Sequence, residues 1–153
     1  MAQDLATRPV TAATLRAAIY ARISREDEGN VDNTDIQVDE CQDYIERMGW
    51  ECVGVYVDDN RSAYSGRRRN RYEALLGDIQ ANKTDIIVCV EMSRLNRRLW
   101  YSIDLFRMAE TTSLAHIATT DGGGLNLSTP EGIQNAIKLA MEQRTSPGGP
   151  ASE

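Results

Sequence analysis

The chain has 153 residues, 41% of them apolar and 26% charged, and a net charge of −6. That size and composition suit one folded domain with a sizeable core and exclude a largely unstructured chain. No apolar run reaches the roughly 20 residues that span a bilayer, and an acidic total argues against tight nonspecific binding to DNA.

The opening stretch, MAQDLATRPVTAATLR, lacks the apolar centre of a secretory signal and reads as a disordered or appended tail over residues 1–15. RAAIYARI (16–23) is the first strand candidate. A helix follows through TDIQVDECQDYIERM, with Gln37, Cys41, Tyr44, Ile45 and Met48 on one face. Thr34 and Gln37 have the spacing of a capping box, and Gly49 marks the stop. CVGVYV (52–57) is a second strand, and the polar segment DDNRSAYSGRRRN reads as a long, mobile connection.

Tyr72, Leu75, Leu76 and Ile79 mark a short amphipathic helix. DIIVCV (85–90) is continuous and β-branched, as a central parallel strand covered on both faces should be. Residues 100–111 read as a helix with Ile103, Phe106 and Ala109 inward, and SLAHIAT (113–119) as a fourth strand. Gly122, Gly123 and Gly124 read as a tight or mobile connection. The clearest helix is capped by Ser128 and Thr129, opens on Pro130 and carries Ile133, Ala136, Ile137, Ala140 and Met141 at helical spacing. TSPGGPASE (145–153) abandons the pattern and reads as a flexible tail. Alternating strands and helices predict an α/β fold over residues 16–144. The expected architecture is a small three-layer sandwich with a mostly parallel central sheet of about four strands.

Cys41, Cys52 and Cys89 are widely spaced among apolar neighbours and read as reduced core thiols of an intracellular protein. His116, the only histidine, reads as a partly buried strand residue, and no spacing supports a metal site. Charge is unevenly placed. Residues 26–46 are acidic, whereas Arg61, Arg67, Arg68, Arg69 and Arg71 form one basic cluster and Arg94, Arg97 and Arg98 another.

In such folds functional groups gather beyond the carboxyl ends of the strands. There the chain places Arg22 and Ser24, then Asp58 and Asp59 with the arginine segment, then EMSRLNR, then Thr119 to Asp121. Guanidinium groups and hydroxyls dominate. A guanidinium fork matches two phosphate oxygens and stays charged at pH 7. Convergent arginines can stabilise phosphoryl transfer, with one hydroxyl as nucleophile. No GxGxxG or GxxxxGK[ST] loop offers another phosphate site. Asp58 and Asp59 suit a strand-end cap or an arginine partner better than a magnesium site.

The segments YARISR, DIQVDEC, YVDDNRSAYSG, RNRYEALL, DIIVCVEMSRLNRR and LSTPEG, in that order, resemble the catalytic domain of serine site-specific recombinases, the resolvase/invertase family. The style is most similar to that of large serine integrases. The resemblance implies a resolvase-like fold and a serine that attacks a DNA phosphodiester, forming a 5′-phosphoserine and releasing a 3′-hydroxyl. Ser24 resembles that nucleophile. Arg22 would hold the scissile phosphate and help activate Ser24. Arg94 and Arg97 match the two arginines of a DRLxR-like segment, one helical turn apart if a helix starts there. Arg69 matches the arginine before the second helix, with Arg67 and Arg68 as neighbours in register. Gln37 would organise the site, Tyr20 support the strand end, and Asp58 orient an arginine.

Ser93 stands where many relatives have Asp, which leaves the leaving-group acid open between Arg94 and a hydroxyl. The resemblance further implies double-stranded DNA recombination sites as partners and self-association to a dimer and a synaptic tetramer. It implies no cofactor and no metal, and a place in the bacterial cytoplasm, encoded by a phage or mobile element. It also implies DNA-binding domains downstream. The alternatives are a catalytically impaired recombinase fragment acting as an oligomerisation module, and another phosphoryl-transfer or nucleotide-binding domain of this general fold.

Overall fold

A computed structural model describes residues 14–24, 33–60 and 69–145, the side chains of residues 24, 60 and 145 excepted. The predicted polar connection falls largely outside this range, and Arg67 and Arg68 with it. Five strands form one sheet in the order β2-β1-β3-β4-β5. They are β1 (Arg16–Ser24), β2 (Glu51–Asn60), β3 (Ile86–Cys89), β4 (His116–Thr119) and β5 (Gly124–Asn126). The first four are parallel, and β5 pairs antiparallel with β4. The α/β class and the mostly parallel sheet are as expected, with β5 added.

The helices are α1 (Thr34–Met48), α2 (Asn70–Gln80), α3 (Met92–Leu95), α4 (Ile103–Met108) and α5 (Pro130–Thr145), with a 3-10 turn at Leu99–Ser102. Strand alternation divides the core in two. Ala17, Ile19, Ile86 and Val88 pack with Cys41 and Ile45 of α1 on one face. Ala18, Tyr20, Ile87 and Cys89 pack on the other with Leu75 and Ile79 of α2, Leu105 and Phe106 of α4, and Ile133 and Ala136 of α5. Three layers result. All four residues of β3 are buried, which is why its sequence is continuously apolar.

Several local expectations shift. The second strand extends to Asn60, so Asp58 and Asp59 lie within it rather than after it. The helix expected over 100–111 is a 3-10 turn followed by six residues of α4. Asn33, not Thr34, caps α1, because its Oδ1 accepts the Ile36 N–H at 2.9 Å. Gln37 is thus not part of a capping box. Cys41 and Cys89 are buried, but Cys52 is exposed on β2. Burial pushes the Cys41 thiol up to about 12, so it stays protonated at neutral pH.

Glycine fixes two boundaries. Gly49 ends α1 at φ 78°, with its N–H and that of Trp50 closing on Glu46 and Ile45. Gly124 opens β5 at φ 122°, where a Cβ would lie 2.0 Å from the Ile117 carbonyl oxygen. The three glycines therefore form a tight turn into a short strand.

At the amino ends of the strands, Arg16 Nη2 and Nε bond both oxygens of Asp85 at 3.0 and 3.1 Å, clamping the start of β1 beside β3. Burial pushes the Asp85 carboxyl up, but the bonds and charge of Arg16 outweigh it and hold it below its ordinary value. The stability Asp85 contributes is therefore full above the usual carboxylate range and is lost as pH falls through the depressed value. Asp85→Asn is expected to cost about 1 kcal/mol at pH 7, given the solvent exposure of Arg16. Urea denaturation should show that difference shrinking below about pH 4. An equal difference at pH 2 would mean that the carboxylate charge is not its source.

No helix among the described residues is long and apolar enough to cross a membrane. No cluster of three metal-binding side chains occurs among the described residues.

Candidate active site

The site grows from the carboxyl end of β1. Tyr20, Arg22 and Ser24 occupy alternate positions of the strand, paired in register with Tyr56, Asp58 and Asn60 of β2. Pairing of β1 with β3 stops at Ile19. Beyond it, Gln37 of α1 takes over at Arg22, accepting its N–H at 3.2 Å and donating to its carbonyl at 3.0 Å. Gln37 is almost fully buried, and its amide substitutes for a neighbouring strand.

The Arg22 side chain is also buried. Its Nη2 donates to the Ser93 carbonyl at 2.6 Å and its Nε to the Arg94 carbonyl at 2.9 Å. These bonds tie the end of β1 to α3. Ser93 thus meets Arg22 through its backbone. Arg94 is buried on α3, with Nε 3.3 Å from an exposed Glu91 carboxylate. Arg97 is different. The helix is only four residues long and ends at Asn96 in extended conformation, so Arg97 falls on the exposed bend beyond it. The two arginines do not share a helical face. A cleft of about 320 Å³ is lined by Ser93, Asn96, Arg97 and Leu139 among others.

Arg69 stands at the N-cap of α2. Its Nε and Nη2 donate to Tyr20 Oη at 3.3 and 3.2 Å, Nη1 to Asn96 Oδ1 at 2.7 Å, and Nη2 also to the Leu95 carbonyl. The guanidinium carbon lies 3.8 Å from the centre of the Tyr72 ring, in cation–π range. Tyr20 Oη donates in turn to Asp58 Oδ2 at 2.7 Å. Burial first, and the Asp58 bond with it, raises the Tyr20 phenol well above its ordinary value against the pull of Arg69. Tyr20 is therefore a neutral donor and acceptor at pH 7, not a base.

Asp58 is buried and accepts the N–H groups of Arg71 and Tyr72 at 3.1 and 3.0 Å. It caps α2 from β2, since Arg69 makes no side-chain cap. Its link to Arg69 runs through Tyr20 rather than by direct contact.

One network thus joins Gln37, Arg22, Ser93, Arg94, Leu95, Asn96, Arg69, Tyr20 and Asp58. Ser24 closes β1 two residues past Arg22, and its described part is its backbone. Sequence reasoning assigned Asn96 no role and Tyr72 only a place on an amphipathic helix, yet both hold Arg69. The one sequence signal for Asn96 was its place between the arginines of SRLNRR.

Several solved structures share the fold, and three illustrate it. The N-terminal catalytic domain of TP901-1 integrase matches with a TM-score of 0.64 at 21% identity, covering 84% of this chain and 96% of that one. A resolvase family site-specific recombinase from Streptococcus pneumoniae matches at 0.67 and 18%, covering 85% and 88%. The C-terminal catalytic domain of ISC1926 TnpA, an IS607-like serine recombinase, matches at 0.54 and 20%, covering 82% and 79%. No curated protein matches the chain. The sequence family described as the resolvase N-terminal domain matches residues 17–144, from the second residue of β1 to the penultimate residue of α5. The chain belongs to the resolvase family of serine recombinases, in its N-terminal catalytic region.

Proposed function

We propose that the chain is the catalytic unit of a site-specific DNA recombinase, with Ser24 as the nucleophile. The observation that carries this reading, beyond family membership, is the bonded arginine network at the end of the strand that Ser24 terminates. In the proposed step, Ser24 Oγ attacks phosphorus in one DNA strand. The Oγ–P bond forms, the P–O3′ bond breaks, and the serine proton is lost. The departing 3′ oxygen takes up a proton, leaving a 5′-phosphoserine. Religation reverses this with the 3′-hydroxyl of another strand. One phosphodiester replaces another throughout, so no nucleotide is consumed.

Arg22, Arg69, Arg94 and Arg97 would share the charge on the phosphoryl oxygens. Gln37, Tyr20 and Asp58 would hold that set in place. Arg67 and Arg68 lie beside Arg69 in sequence and would add to the positive field. Ser93 is neutral where a carboxylic acid could otherwise protonate the leaving oxygen, so Arg94 or a hydroxyl is assigned that proton. The partners would be double-stranded recombination sites, joined through a dimer and a synaptic tetramer of the protein.

The test uses a pool of short nicked duplexes that release a small fragment on cleavage and so cannot be religated. The expected product is a protein–DNA species that survives denaturation. Nuclease and protease digestion should then yield phosphoserine at position 24. A chain that forms no such species and still self-associates would instead fit the oligomerisation-module reading.

A further inference from the structure

The bonds around Arg69 involve no carboxylate among the described residues. Its acceptors are Tyr20 Oη, the Leu95 carbonyl and Asn96 Oδ1, all neutral. Its face rests on Tyr72. The guanidinium is fixed from several directions, and none of its direct partners among the described residues carries a negative charge; the nearest carboxylate in the network, Asp58, is held off by the Tyr20 hydroxyl. That is what an anion-binding arginine needs, and an ordinary surface ion pair would defeat it.

Asn96 is central to this arrangement. It is buried, with 6% of its surface exposed. It has three side-chain partners, of which the donor-only Arg69 sets the polarity of the amide. Oδ1 accepts from Arg69 Nη1 at 2.7 Å, which turns Nδ2 toward Tyr72 Oη at 3.0 Å and Ser102 Oγ at 2.7 Å. Its extended backbone, φ −147° and ψ 134°, ends α3. A glycine or alanine would permit the same chain path but offer no acceptor. An aspartate would offer the acceptor but add a countercharge.

We propose that Asn96 is a positioning residue for the reaction. It holds the Arg69 guanidinium for a phosphate oxygen without neutralising it, and links it through Ser102 to the turn before α4. This rests on the reading of the site as a phosphodiester-binding centre. The choice of amide over carboxylate is the specific claim.

The test compares the full chain with Asn96→Ala and Asn96→Asp by arginine side-chain nitrogen NMR, Arg69 being assigned by its loss in Arg69→Lys. In the wild type, restricted rotation should leave the Arg69 Nη signals resolved, and added inorganic phosphate should shift them. In Asn96→Ala the signals should merge. In Asn96→Asp they should stay resolved, while phosphate affinity falls at least about tenfold, since the aspartate cancels the charge.

On nicked duplexes, both variants should form the covalent species about 10–100-fold more slowly at saturating DNA. Thermal melting should be near wild type for Asn96→Asp. Resolved signals in Asn96→Ala, or an Asn96→Asp variant that binds phosphate as well as wild type, would overturn the proposal. A wild-type chain that forms no covalent species, yet shows the phosphate-dependent Arg69 shift and its loss in Asn96→Asp, would remove the recombinase chemistry. It would still support the role of Asn96 in holding an anion-binding arginine.

Discussion

Ser24→Ala is expected to reduce the covalent protein–DNA species by more than about 10³-fold, the scale seen when a sole nucleophile is removed. Melting temperature and noncovalent retention of DNA should change little, because phosphate affinity is assigned to the arginines. The effect should be large because the other candidate nucleophiles among the described residues are poorly placed to take over. The single histidine begins β4 and lines a different cleft, with Tyr44, Trp50 and the Gly122–Gly124 turn. Cys41 and Cys89 are buried, and burial raises both thiols. Ser93 meets Arg22 through its carbonyl, and Ser93→Ala should slow the reaction far less, by about tenfold at most. Denaturing gels of labelled duplex would measure both variants. A covalent species that persists in Ser24→Ala, or disappears only in Ser93→Ala, would move the nucleophile elsewhere.

The sheet was legible because its signals are local and repeated. β3 is apolar throughout, and the inward residues of α1 and α5 recur at helical spacing. β5 was hidden because three residues starting at a glycine carry no period. Spacing also misled. Arg94 and Arg97 look like neighbours on a helix only if a helix continues past Leu95, and Asn96 ends it. Thr34 and Gln37 look like a capping pair, yet Asn33 takes the cap and leaves the Gln37 amide for Arg22.

Candidate residues were easier to pick out than their contacts. Family order picked out Tyr20, Arg22, Gln37, Asp58, Arg69 and Arg94, and the fold joins all six in one network. What could not be read was who contacts whom. Asn96 reaches residues 69, 72 and 102, and its importance exists only once α2 and the 3-10 turn are packed together. A short polar residue between two arginines carries no pattern that predicts this.

The other large effect should come from Asp58→Ala, this time on the fold. The substitution strands three donors at once: Tyr20 Oη and the backbone N–H groups of Arg71 and Tyr72. Each was satisfied by a buried carboxylate, so the loss should be about 3–5 kcal/mol. That is a large share of the roughly 5–15 kcal/mol that holds a domain together. Melting should fall by on the order of 10–20 °C. Asp58→Asn should recover only part, because its amide nitrogen cannot accept from the donors it faces.

Tyr20→Phe separates fold from site. It removes one hydroxyl, at about 1 kcal/mol, but deprives Arg69 Nε and Nη2 of an acceptor. It should therefore slow covalent DNA attachment about tenfold with little loss of stability. An Asp58→Ala protein that melts within about 2 °C of wild type would show that the cap is dispensable. The reason to expect otherwise lies in the position of Arg69. It is the N-cap residue of α2, and the helix end that Asp58 secures begins with the next residue. Fraying that first turn would move the arginine itself, so the buried carboxylate on β2 sets where the guanidinium at the head of α2 can stand.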